Sequence, residues 1–183
     1  MTKVFIGGSR RISRLNSEGR QRLDRIIEKR FPVLIGDANG ADKVVQTYLR
    51  DRGYDRVEVF CMDGVCRNNV GDWPTRIVSG SEGAKGFEYY STKDEEMARE
   101  STVGFMLWDG KSKGTLANIC RLLNQGKKVV VYVAPGRIFE TLASTDDWQS
   151  SLSRWNKAPQ KPTSKRAMVF ERRRSKSGNV GLF

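Results

Sequence analysis

Three short glycine-bearing segments hold the residues best suited to chemistry. They are Gly7-Gly8-Ser9-Arg10, Gly36-Asp37-Ala38-Asn39-Gly40-Ala41-Asp42 and Asp109-Gly110-Lys111-Ser112-Lys113-Gly114-Thr115. Glycine lets a backbone approach a ligand closely and adopt positive φ. A helix opening after such a turn presents unpaired amides and a partial positive charge, which suits a phosphate. Ser112, Gly114 and Thr115 stand where a helix should begin, with Lys111 and Lys113 as mobile cations beside them, so a phosphate is placed there. The structural alternative is a tight helix start with Ser112 or Thr115 as the cap. Arg10 is either a bidentate partner for phosphate or carboxylate or a solvated arginine. Asp37, directly after an apolar run, reads as the ligand-facing acid, suited to ribose hydroxyls. Asp42 reads as a first-turn helix residue favoured by the dipole. Neither a G-x-x-x-x-G-K-[ST] loop nor a G-x-G-x-x-G fingerprint on the first turn is present.

Acid–base chemistry would fall to carboxylates. Asp109 follows an apolar run, and Asp94, Glu95 and Glu96 lie on one helical segment with Glu88 upstream. Asp109 with Asp94 is the best pair for ribosyl transfer, by analogy with glycosidases; the alternative for Asp94 is an ion pair with Lys93 or Arg99. Tyr89, Tyr90, Trp73 and Trp108 could stack on a base, with Trp108 placed at the strand end nearest the turns.

The elements that must position these residues alternate. Apolar runs at 3–7, 31–36, 56–61, 103–108 and 128–134 read as five strands. Helical spacing appears over 17–30, with Ser17 as the cap, then over 41–52, 84–100 and 116–125. Residues 62–83 read as a long loop. This order predicts an α/β, Rossmann-like three-layer sandwich with a mainly parallel five-stranded sheet and a basic C-terminal extension. Ligands of such folds bind beyond the carboxyl ends of the strands, so the three turns should meet on one rim. The domain is expected over 1–135. The extension, 136–183, is expected to be helical around 137–155 and then linker-like, with 167–170 a candidate edge strand.

The 183 residues include no histidine and three cysteines. That excludes Ser-His-Asp and Cys-His catalysis and HExxH zinc sites. No metal or cofactor is expected. Cys61, Cys66 and Cys120 read as reduced thiols, given their odd and sparse count. No apolar run approaches the ~18 residues of a membrane span, and a cytoplasmic protein is expected. The formal net charge is +12, yet residues 151–183 hold nine basic residues and one acid. The basicity is therefore concentrated in the tail, which could attract phosphate backbones without reading sequence or dock on the domain or a second subunit.

The ordered set KVFIGGSR, VLIGDANGAD, KDEEMA and GFMLWDGKSKGTLANI resembles the SLOG superfamily. That group of Rossmann-like domains includes the LOG cytokinin-activating enzymes, DprA-type DNA-processing proteins and a small uncharacterised branch, to which the match is closest; the nucleoside 2-deoxyribosyltransferases are relatives. The resemblance implies a pocket for a nucleotide or nucleotide-derived ligand such as an ADP-ribose-like species. Gly7, Gly8, Ser9 and Arg10 would form one wall, with Gly36, Asp37 and Gly40 the second. Gly110, Ser112, Gly114 and Thr115 would hold phosphate. The LOG enzymes carry a glutamate in a GGxGTxxE motif; here that position is Asn118, which can hydrogen-bond but cannot act as a carboxylate. A homodimer is compatible with the resemblance. The leading expectation is nucleotide binding. The alternatives are an N-glycosidic-bond hydrolase or transferase and a DprA-like DNA-associated protein.

Overall fold

The computed structural model describes residues 1–64, 66–80, 83 and 86–157. Twelve elements follow one another: β1 Val4–Gly8, α1 Ser17–Glu28, β2 Val33–Gly36, α2 Ala41–Asp51, β3 Val57–Met62, β4 Thr75–Val78, α3 Gly86–Glu100, β5 Val103–Trp108, α4 Lys113–Asn124, β6 Lys128–Val133, β7 Ile138–Leu142 and α5 Thr145–Lys157. They build an α/β fold with one mostly parallel sheet, ordered β4-β3-β2-β1-β5-β6-β7; only β7 runs antiparallel, against β6. The order reverses at β1, which lies between β2 and β5. That is the point where crossovers diverge to opposite faces and leave a crevice.

Strand alternation sorts the core into two layers. Val4 and Ile6 face α1 and α2, among Leu23, Ile26, Val45 and Leu49, while Phe5 faces the other side with Met97, Met106, Ile119 and Leu122. The central strands are buried on both faces, which is why they read as unbroken apolar runs. Asn16 rather than Ser17 caps α1, its side chain accepting the Gly19 amide at 2.8 Å.

Seven strands form where five were expected. β4 arises inside the stretch read as a loop, and β7 inside the stretch read as helix. Both are edge strands, and their exposed polar positions leave no clear apolar run. The sheet therefore runs on past residue 135, and α5 lays Trp148 and Trp155 against Trp108 at ring-centroid distances of 6.0 and 5.2 Å. Residues 158–183, with the basic tail and the candidate strand at 167–170, lie outside the described residues.

The cysteine expectation is also corrected. Cys61 and Cys66 form a disulfide across five residues, leaving Cys120 as the free thiol. The strand end and the loop that follows fold back on each other, so proximity in space overrides the argument from count. No described helix is long and apolar enough to cross a membrane.

Candidate functional site

A cleft of about 540 Å³ opens at the carboxyl ends of β1, β2 and β5. Its walls include Gly7 and Gly8 at the end of β1 with Ser9 and Arg10 after it, Gly36 at the end of β2, and Asp109, Ser112, Gly114 and Thr115 around the start of α4. Asp94 and Asn118 complete the side lined by α3 and α4. Among the sequence-derived candidates of the turns and the acidic helix, Asp37, Gly40, Gly110, Lys113, Glu88, Glu95 and Glu96 are not lining residues. Gly40 has φ +85°, and a β-carbon there would fall 2.3 Å from the Arg10 carbonyl oxygen. Gly110, at φ +82°, shapes the turn before α4. The Ala41 amide donates to the Ser9 carbonyl at 3.0 Å, binding the first two turns together.

Of the two aspartates of the second turn, Asp42 stands in the first turn of α2 as expected, while Asp37 turns to Arg67. Asp37 is buried and accepts three N–H groups of Arg67: the backbone amide and Nε at Oδ2, both 3.0 Å, and Nη2 at Oδ1, 2.6 Å. Burial alone would push its carboxyl up, but the Arg67 hydrogen bonds and the Lys93 charge outweigh it and hold it below the ordinary carboxylate value. It orients Arg67 and does not line the cleft. Asp42 is the acid that lines the cleft. Burial, with the repulsion of Asp94 and Asp37, lifts its carboxyl to about 7 despite nearby Lys93 and the Ala38 amide.

Lys93 is the hub of this floor. Its ammonium lies 3.2 Å from Asp94 and 3.8 Å from Asp37, with the side chain 4% exposed. Burial pulls its pKa down, but Asp94, Asp42 and Asp37 outweigh that and leave it raised, so it stays charged. Gly36 makes room for the arrangement: a β-carbon there would fall 2.6 Å from Asp42 Oδ2 and 2.7 Å from Lys93 Nζ.

Asp94 is held from two sides, by Lys93 and by the Asn118 Nδ2 group, which donates to its Oδ2 at 2.9 Å. The Asn118 carbonyl oxygen accepts from Arg121. Both polar ends of Asn118 are thus engaged within the protein. Asp109 also lines the cleft, but its Oδ1 accepts the amides of Lys111 and Ser112 at 3.0 and 2.8 Å. Burial pushes its carboxyl up, but these amides together with the Ser9 hydroxyl outweigh it and hold the carboxyl below its ordinary value. It closes a turn. Ser112 caps α4, accepting the Thr115 amide at 3.3 Å.

The aromatic candidates divide. Trp73 is buried, its indole N–H donating to the Tyr54 carbonyl at 2.8 Å. Trp108 is buried among Trp148 and Trp155. Tyr89 donates to Asp63. Tyr90 alone of the four lines the cleft, with the Arg10 and Arg67 guanidinium carbons 5.4 and 4.5 Å from its ring centre. Arg67 and Lys93 were missed from sequence. Arg67 sits in a loop with no local signal. Lys93 did carry one: Tyr90, Lys93, Asp94 and Met97 follow i, i+3, i+4, i+7 spacing, the stripe of a sheet-facing helix.

Chemically, the floor sets the Asp42 carboxyl, which holds its proton near neutrality, beside the Asp94 carboxyl, which is paired with the Lys93 ammonium at 3.2 Å; two carboxyl groups in unlike environments are what an acid–base pair needs. A carboxyl whose folded pKa is raised favours the native state fully below its ordinary 3.8 and withdraws that support as pH climbs through about 7. Stability should therefore fall from pH 5 to pH 8, and Asp42→Asn, which cannot ionise, should flatten that slope. Urea midpoints across this range check it; parallel profiles for the two proteins would refute it.

No known family profile matches this chain, and no curated protein sequence does. Among solved structures, DNA processing protein A from Helicobacter pylori, described for its single-stranded DNA binding mode, is similar. The two agree with a TM-score of 0.56 and 17% identity over 82% of this chain and 73% of that one. At this identity the likeness carries the Rossmann-like fold alone.

Proposed function

We propose that the protein binds a nucleotide-derived ligand in the rim cleft, its phosphate seated on the first turn of α4. The observation that carries this reading is the convergence of the glycine ends of β1 and β2 with the α4 start on one cleft. First-turn amides have no carbonyl a turn earlier in their own helix to bond, and they sit under the positive end of the α4 dipole. The SLOG-like turns support the same reading.

Two further readings have specific support. Exposed Arg10, Arg11, Arg14, Lys111 and Lys113 cluster in the turns after β1 and β5 without ion pairs among the described residues. That pattern, with the neighbour's description, favours single-stranded nucleic acid along the rim as the second reading. The Asp42–Lys93–Asp94 floor supports N-glycosidic cleavage, with Asp94 and Asp42 taking the roles first assigned to Asp94 and Asp109.

One panel separates the three. The full chain is heated with nucleoside mono- and diphosphates, ADP-ribose and short oligodeoxynucleotides, and each mixture is then assayed for free base. A nucleotide at a hundredfold excess over its Kd should stabilise by about 2.7 kcal/mol, a rise of roughly 5–10 °C for a chain of this size. No shift with any nucleotide overturns the leading reading. Binding only of oligonucleotides, lost steeply with salt, selects the second. Release of base selects the enzyme.

A further inference from the structure

We propose that the cleft contains a second anion seat, built by Arg10 and Arg67 around Tyr90, and that its ligand therefore carries a diphosphate rather than a single phosphate. This rests on the cleft being a nucleotide site and narrows what it holds. Two guanidinium groups converge on one tyrosine ring, Arg10 at 5.4 Å and Arg67 at 4.5 Å. Like charges brought to one ring repel, and the two differ in how they are compensated.

Arg67 is fixed. Asp37, its side chain 2% exposed, accepts from Nε and Nη2 and so sets the plane of the guanidinium. That uses two of the five donors an arginine offers, and the side chain remains one-third exposed in the cleft wall. Arg10 is exposed and has no carboxylate partner among the described residues. Its backbone is braced by the close approach of Gly40. Lys93 cannot serve this seat, because its ammonium is surrounded by Asp94, Asp37 and Asp42. A lone phosphate on α4 leaves Arg10 without a counter-charge and three Arg67 side-chain donors without use. A second, linked phosphoryl group would neutralise it through charge-assisted hydrogen bonds from a guanidinium already held in place.

The experiment compares AMP and ADP by calorimetric titration against the full chain and against Arg10→Ala and Arg67→Lys. Arg10 is exposed, so its variant tests the seat even if Arg67→Lys fails to fold. The unmodified protein should bind ADP about tenfold tighter than AMP, the gain of one hydrogen bond to a charged group. Each variant should bring that ratio down to about twofold or less by the same reckoning. AMP binding with no preference for ADP, or a preference that Arg10→Ala leaves intact, overturns this inference and spares the cleft reading. Failure of both nucleotides to bind overturns both.

Discussion

Lys93→Met unfolds at a markedly lower urea concentration than the unmodified protein at pH 8, a loss of about 3–5 kcal/mol, and the gap narrows at pH 5. This result is expected because Lys93 is the buried cation shared by Asp37, Asp42 and Asp94. Removing one partner of a buried ionic group strands the remaining charges in a poorly solvated place, at about that cost. The cost is not uniform with pH. Asp42, already at about 7 with the ammonium present, rises further without it. At pH 5 it is neutral in both proteins, and one stranded charge disappears. Denaturant midpoints at the two pH values check this; a loss equal at both would show that lost packing, not charge, explains it.

Gly8→Ala should cost about 3 kcal/mol or more, the upper end of overpacking effects, while Gly7→Ala one residue away should be mild. At Gly8 a β-carbon would lie 2.4 Å from the Leu107 carbonyl oxygen and 2.8 Å from the Ala41 β-carbon. Neither can swing aside, since the first belongs to the neighbouring strand and the second starts α2. At Gly7 the nearest contact is the Phe5 ring edge at 3.3 Å, a side chain that can yield by a few tenths of an ångström. Thermal unfolding of the two variants separates them. Equal effects would mean that glycine is needed here for conformational freedom and not for close approach.

The contrast between these glycines shows what a sequence of this kind discloses. The central strands were legible because both their faces are buried, and VFIG, VLIG and VGFMLW leave no other reading. So was the meeting of the three turns, which follows from strand order. The edge strands were not: in Thr75–Val78 a single position is buried, and in Ile138–Leu142 one again. Pairing with the sheet decides them, not local pattern. The pairing of Asp37 was illegible for a similar reason. Whether an aspartate faces a cleft or an arginine depends on Arg67, thirty positions away in sequence, and nothing near Asp37 announces it. The Cys61–Cys66 bond likewise depends on a backbone reversal that composition does not encode.

Asp109 holds the mouth of α4 shut upon itself. Because its own oxygen satisfies the Lys111 and Ser112 amides, that corner does not wait for a guest to take shape. If the proposed ligand binds there, it meets a turn already formed, so little ordering of the host offsets its contacts.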